Sequence, residues 1–179
     1  QQVFGFEFEK ENDLLPDVFP IVERIKDESA FDLGKAKKDS TLPTQLPASM
    51  ERAIRCFILT CAVRRLRGQE HVHKSMLIHI SRFVTWQTQI KTMVEEAFLN
   101  YRRGIEFNVP AIIEEMRRTY EEDELGGKSY VSISAEVLGS KLKDFDRQVQ
   151  VHHWNAVLPH LHAAASKIEV RELNGSSAD

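Results

Sequence analysis

The sequence predicts an α/β protein that is predominantly helical and contains a small parallel sheet. Amphipathic helical patterns fill most of residues 47–167. A short apolar run, residues 75–80, is typical of a buried strand, and residues 168–173 alternate between apolar and charged side chains as a strand does. Two strands joined through helices usually lie parallel, with a right-handed connection. Because the connection here is unusually long, residues 105–150 are predicted to be a helical insertion.

Residues 1–45 are predicted to form an N-terminal arm ahead of the main segment, residues 46–179. The arm begins with alternating apolar residues, Val3, Phe4, Phe6 and Phe8, and continues into a stretch interrupted by prolines. The chain starts at Gln1 without an initiator methionine and stops directly after the second predicted strand. We therefore expect an internal fragment of a larger protein.

The clearest predicted helix spans residues 47–67. Pro47 suits a first helical turn, and Gly68 is a natural terminator. Arg64, Arg65 and Arg67 fill the last turn, where cations offset the helix dipole.

The later helices are predicted from apolar periodicity and from residues that start or end helices. One helix is predicted from Ser81, a plausible N-cap, to about Arg103, with Gly104 as its end. Its predicted apolar stripe consists of Trp86, Ile90, Met93, Val94, Ala97, Phe98 and Tyr101. A third opens at Pro110, a weak helix is predicted within residues 129–147, and residues 151–167 form a helix broken at Pro159.

The junction Ser81–Arg82 is the strongest candidate for a binding site. A strand that feeds directly into a helix N-terminus exposes backbone N–H groups, which favour anions and above all phosphates. Arg82 adds a guanidinium suited to bidentate phosphate contacts. Together with Lys74, the arginines of the preceding helix could extend this basic patch, although dipole compensation alone also explains them.

Composition limits the other possibilities. Hydrophobic residues make up 42% of the chain, charged residues 28%, and the net charge is −3, so any nucleic-acid binding must come from a local patch. No apolar run could span a bilayer and no signal peptide is visible, so we expect a cytoplasmic protein without membrane contact. Cys56 and Cys61 do not share a helix face, and they are predicted to be core residues in a reducing compartment.

No catalytic residue and no metal site is predicted. Residues 126–129 imitate the end of a phosphate-binding loop, but the earlier glycine of that motif is missing. The seven histidines lack metal-ligand spacing, and no lysine has an acid two residues before it, as nucleases of the restriction type require.

Several stretches resemble the Z-one domain family, most specifically over residues 46–103. They are Leu46–Ser49, Ala53–Phe57, Arg64–Gly68, His73–Phe83 and Gln87. The resemblance implies a larger, often bacterial, endonuclease or ATP-dependent helicase-like parent, a hydrolase that uses ATP and magnesium. Residues 46–179 would then be the first half of a second RecA-like domain, a partial domain of the P-loop NTPase type, and would be inactive alone.

The resemblance also implies a set of contacts to nucleic acid, most plausibly DNA. Ser81 would hydrogen-bond a phosphate, Arg82 would pair with one, and Asn174 with the Gly175 backbone would contact the neighbouring stretch of strand. The complete candidate set for nucleic-acid binding is Ser81, Arg82, Gln87, Asn174, Gly175, Arg64, Arg65 and Arg67. The ATP-binding loop and the Ser-Arg-Gly segment of such motors are absent, so the remainder of the parent chain is an expected partner.

A helical protein–protein interaction module is the alternative function. The predicted insertion carries the acidic run 121–124 and two tyrosines, Tyr120 and Tyr130, that the sequence suggests are exposed. Such a surface is poor for DNA but reasonable for a protein partner.

Overall fold

The computed structural model describes residue 27 and residues 42–79, 84–123, 127–139 and 150–172. Within these ranges all the regular elements are helices. They are α1 (Ala48–Leu66), α2 (Val84–Glu106), α3 (Pro110–Glu121), α4 (Tyr130–Gly139), α5 (Trp154–Val157) and α6 (Leu161–Ala165), with a 3-10 turn, Leu158–His160, between the last two.

The predicted parallel sheet is wrong, and with it the α/β class and the partial RecA-like fold of the P-loop NTPase type. Residues 75–79 and 168–172 run without helix or strand, and the described ranges contain no β-strand. Their apolar side chains Ile78, Ile168 and Val170 instead pack, half-buried, against the helical core. Apolar side chains in a short segment indicate that the segment is buried. A strand also needs a neighbouring strand for its backbone hydrogen bonds, and the sequence of one segment does not show whether such a neighbour exists.

Helix α1 ends as its sequence predicts. Gly68 adopts a φ of 71°, its N–H donates to the Arg65 carbonyl at 2.9 Å, and the Gln69 N–H donates to the Arg64 carbonyl at 2.8 Å. This pair of bonds is the Schellman arrangement, in which a left-handed residue closes the helix. The terminator predicted at Gly68 is therefore confirmed.

The start of α1 depends on a residue far away in the sequence. Pro47 occupies the N-cap position and offers no capping side chain. The Asp27 carboxylate accepts a hydrogen bond from the Ser49 N–H at 2.8 Å instead. This bond lowers the pKa of Asp27, and it ties a residue of the predicted arm to the helical core.

Helix α2 passes through the glycine predicted to end it. Asn108, with a φ of 50°, is the left-handed residue, and the Val109 N–H donates to the Gly104 carbonyl at 2.8 Å. Gly104 instead lets α3 come close, because a Cβ there would lie 2.5 Å from Cγ1 of Ile112. The glycine is a packing residue rather than a helix stop.

The remaining helices follow local signals more closely. Pro110 occupies the first turn of α3, as predicted. The Ser129 hydroxyl accepts a hydrogen bond from the Ser132 N–H at 3.0 Å and so caps the start of α4. Ser129 is the last residue of the stretch that imitates a phosphate-binding loop. The helix predicted to break at Pro159 is divided there by the 3-10 turn.

Helix α1 is the centre of the packing and contacts α2, α3, α5 and α6. The predicted apolar stripe of α2 is confirmed, with Trp86, Ile90 and Phe98 among its buried residues. Tyr120, in contrast, is only 1% exposed and stacks on Tyr130 with ring centroids 5.4 Å apart. The expectation that these tyrosines form an exposed partner surface is therefore wrong, because they complete the core between α3 and α4.

Candidate functional site

A cleft of about 780 Å³ lies beside α1 and α2, between the segment 70–79 and the stretch 163–172 that leaves α6. The two stretches predicted as strands therefore border the same opening, although they form no strand. This volume is within the range of ~300–1,000 Å³ found for sites that enclose small ligands. The cleft is the candidate functional site.

The floor of the cleft is apolar because helices α1 and α2 turn one stripe each toward it. From α1 come Ile54, Phe57 and Cys61, and from α2 come Ile90, Val94 and Phe98. Phe57 is half-buried, so part of its ring stays accessible while its neighbours Ile54 and Phe98 are buried. The floor can accordingly bind flat or apolar groups but offers little hydrogen bonding.

The rim of the cleft carries more cations than anions. Its charged side chains are Arg65, Lys74, Lys91, Lys167 and Arg171 against Glu70, Glu169 and Glu172. Three histidines, His71, His73 and His79, also line it. The rim therefore favours an anionic ligand.

Three of the rim cations are already engaged. Lys74 donates to the Gln69 carbonyl at 2.9 Å, Lys91 pairs with Glu95 at 2.5 Å, and Arg171 pairs with its neighbour Glu169 at 2.5 Å. Local partners of this kind hold these side chains in place.

Arg65 and Lys167 differ from them, because neither has an ion-pair partner among the residues described. Both lie near one carboxylate, Glu70. The pKa of Glu70 is held below its ordinary value mainly by its own backbone N–H, and the charges of His71, Arg65 and Lys167 lower it further. Two cations thus converge on the edge of the cleft where a single acid partly offsets them.

Cys61 is the nucleophile nearest the floor, and its environment disfavours reaction. Burial raises the pKa of the Cys61 thiol above its ordinary value, although the charges of Lys74 and Arg64 oppose the shift. A thiol that stays protonated at neutral pH is a poor nucleophile and a poor metal ligand. The cleft is consequently better suited to binding than to covalent chemistry.

Two of the predicted site residues, Arg65 and Gln87, line the cleft. Arg64 and Arg67 do not. Arg64 Nε donates to Gln69 Oε1 at 3.2 Å at the helix end. Arg67 donates to the Gln150 carbonyl at 3.0 Å, and this bond joins α1 to the segment before α5.

The other four predicted residues, Ser81, Arg82, Asn174 and Gly175, lie outside the described residues. The described residues that precede them along the chain, His79 and Glu172, both line the cleft, whereas Val84, the described residue that follows Arg82, does not. Each predicted junction therefore comes shortly after a described residue of the cleft.

Sequence reasoning missed Lys167 and the accessible ring of Phe57. Lys167 was assigned only to the end of a helix, and Phe57 only to an apolar stripe. A cationic residue at a helix C-terminus is common for dipole reasons, so no local signal separated it from its neighbours. Their shared position on one cleft exists only once α1 and α6 have packed together.

A buried polar cluster behind this site was also missed. Arg55 is only 6% exposed. Its Nε donates to the Thr119 hydroxyl at 2.8 Å. One of its terminal nitrogens donates both to the Tyr101 hydroxyl at 2.8 Å and to the Glu115 carboxylate at 2.6 Å. Burial raises the pKa of Tyr101 to about 12, against the opposing effect of Arg55. The cluster joins α1, α2 and α3. An arginine within the apolar pattern of α1 was the available signal.

The described part of the chain contains no group of three or more His, Cys, Asp or Glu side chains placed to hold a metal ion. Among its helices, none combines the length and apolar character needed to cross a membrane.

Comparison with known proteins identifies one family. The family model described as the Z1 domain matches residues 49–179, most of the segment whose motifs resemble the Z-one family. No curated protein and no solved structure matches the chain.

Proposed function

This chain belongs to the Z1 domain family, and we propose that it is a nucleic-acid-binding segment of a larger endonuclease or ATP-dependent helicase-like protein. Binding takes place in the cleft beside α1 and α2. In this proposal strand cleavage, ATP and magnesium belong to other parts of that parent.

The convergence of Arg65 and Lys167 on one edge of the cleft is the observation that carries the proposal. Cations without an ion-pair partner can contact phosphates without first breaking an existing salt bridge. The histidines on the same rim add donors, and the described residues that precede Ser81–Arg82 and Asn174–Gly175, His79 and Glu172, both line the cleft. Contacts of this kind bind the backbone and carry no sequence information.

Fluorescence anisotropy with a labelled oligonucleotide, measured from roughly 50 to 200 mM salt, tests the proposal. The affinity should fall steeply with salt. Arg65→Ala and Lys167→Ala should each weaken binding and flatten the dependence of log K on log salt by about 0.7 for a single strand, the amount for one lost phosphate contact. Arg82→Ala tests the sequence-predicted junction in the same assay.

Arg103→Ala is the matched control, because Arg103 is exposed on α2 and does not line the cleft. It removes the same charge and should leave binding nearly unchanged. Salt-insensitive binding, or an Arg103→Ala loss as large as that of Arg65→Ala, would contradict the proposal.

A protein-interaction module is the second candidate, and a different surface favours it. Phe107 is 73% exposed and Val109 is 40% exposed at the turn between α2 and α3. Large apolar side chains exposed together mark interaction surfaces. If this candidate is correct, Phe107→Ser should abolish a stable complex with the remainder of the parent chain, whereas Arg65→Ala should leave that complex intact.

A further inference from the structure

We infer that the cleft takes nucleic acid as a single strand, with bases against its apolar floor and phosphates at its cationic rim. This inference rests on the proposed function and names the form of nucleic acid that the site accepts. The dimensions of the cleft, the chemistry of its floor and the chemistry of its entrance support it independently of any sequence motif.

The size of the cleft argues against a duplex. Its volume is about 780 Å³, within the range of sites that enclose one small molecule of roughly drug size. One or two nucleotides fit such a space. A double helix presents only a groove or a backbone ridge to a protein surface, and it cannot insert a base pair into a cleft of this size without opening.

The chemistry of the floor points to bases. Phe57 of the floor and Ile78, Ile168 and Val170 of the two flanking segments line the cleft and are half-buried. These side chains cannot satisfy a phosphate, but the Phe57 ring can stack on the flat face of a base, and the aliphatic side chains can pack against it. In a duplex those faces are already covered by neighbouring bases, so only a single strand can use this floor.

The segment 70–79, which borders the cleft, also combines apolar side chains with a cation. Val72, Met76 and Leu77 are exposed to 49%, 37% and 79% along the segment 70–79, and Lys74 lies between them. Alternation of a cation with accessible apolar side chains is the arrangement by which proteins hold a backbone and its bases together. Arg65 and Lys167 provide the phosphate contacts near Glu70, at the start of the same segment.

The first experiment compares three labelled ligands of equal length by anisotropy: a single-stranded oligonucleotide, its duplex, and a single strand that lacks bases but keeps every phosphate. The intact single strand should bind at least tenfold more tightly than the duplex. Removal of the bases should weaken binding about fivefold for each base that stacks in the cleft.

Variants locate the effect on the floor and entrance. Leu77→Ser changes an exposed side chain and should not affect folding, whereas Phe57→Leu replaces the aromatic ring with a somewhat smaller aliphatic side chain. Both should weaken binding of the intact single strand and leave binding of the base-free strand unchanged. Phe107→Ser is the control matched to Leu77→Ser, because Phe107 is 73% exposed, close to the 79% of Leu77, but does not line the cleft.

The outcomes separate this inference from the proposed function. Absence of binding to all three ligands would overturn both. Equal affinity for the single strand, the duplex and the base-free strand would overturn the inference and leave the proposed function standing. Displacement of the oligonucleotide by an equally charged glutamate peptide at a similar concentration would also overturn the inference, because it would show that charge alone accounts for binding.

Discussion

At the scale of the residue, Arg55 of α1 connects this helix to α2 and α3 through hydrogen bonds of its side chain. Its guanidinium bonds Thr119, Tyr101 and Glu115, and it lies 5.7 Å from the centre of the Tyr101 ring. The planar fork of donors suits several acceptors at once, which a lysine cannot reproduce. A buried charge is tolerated only when it is paired and hydrogen-bonded, and here both conditions are met.

Arg55→Ala should lower the free energy of unfolding by about 3 kcal/mol, because it leaves buried acceptors without their donor. Arg55→Lys should recover only part of this loss. Urea denaturation followed by circular dichroism measures both. Arg103→Ala, an exposed arginine on α2, should change stability by less than about 0.5 kcal/mol. Equal effects of Arg55→Ala and Arg103→Ala would refute a structural role for the cluster.

Asp27 provides a test by pH, since its carboxylate accepts the Ser49 N–H at the start of α1. Its pKa is lowered in the folded protein, so its contribution is complete above its ordinary pKa of 3.8 and disappears as the pH falls below that value. Asp27→Ala should therefore cost about 1 kcal/mol at neutral pH and nothing in strong acid.

Urea denaturation of Asp27→Ala and of the unaltered chain, from neutral pH to below pH 3.8, measures this difference in stability. Glu96→Ala removes an exposed carboxylate from the side of α2 and serves as the control. A difference between Asp27→Ala and the unaltered chain that stayed constant down to strong acid would show that the carboxylate does not act through its charge.

At the scale of the element, helix α2 shows how local and tertiary effects compete. Glycine inside a helix normally costs stability relative to alanine. Gly104 is nevertheless required, because a Cβ at this position would lie 2.5–2.7 Å from three carbon atoms of Ile112 in α3. The close approach of the two helices outweighs helix propensity at this position.

Gly104→Ala should consequently destabilise the protein by about 1–2 kcal/mol, the cost of overpacking, instead of stabilising it. In a chain that already carries Ile112→Gly, which removes all three of these carbon atoms, the same substitution should raise stability by about 0.5–1 kcal/mol, because only helix propensity then acts. A double-mutant cycle by urea denaturation measures the reversal. If Gly104→Ala has the same sign in both backgrounds, close packing is not the reason for the glycine.

At the scale of the whole molecule, one hydrophobic core links the N-terminal and C-terminal helices. Trp86 of α2 is 2% exposed and Trp154 of α5 is 7% exposed, and both belong to the same cluster as Ile58 of α1. Packing of α1 against elements distant in sequence makes their stabilities interdependent.

The two tryptophans should therefore report one unfolding transition. With Trp86→Phe or Trp154→Phe, the fluorescence of the remaining tryptophan should change at the same urea concentration as the circular dichroism of that variant. An earlier transition for Trp154 than for the helices as a whole would mean that α5 and α6 unfold as a separate unit.

The sequence alone determined where the helices lie and much of how they end. Gly68, Pro110 and Pro159 act through their own backbone geometry, and the stripe of α2 follows from helical periodicity, so these features could be predicted. The basic pattern at the end of α1 pointed to Arg65 and the family resemblance pointed to Gln87, and both line the cleft. Local reasoning failed at Gly104, whose role depends on a side chain in another helix.

Only the tertiary structure decided what the apolar runs at 75–79 and 168–172 become and which residues share a site. They were predicted as strands because a short segment that is buried without forming a strand can have the same pattern of apolar side chains as a strand. Strand pairing, the partners of Arg55, and the meeting of Arg65, Phe57 and Lys167 at one cleft all depend on residues far apart in sequence. Such contacts follow from how the helices pack around α1, and no local pattern encodes them.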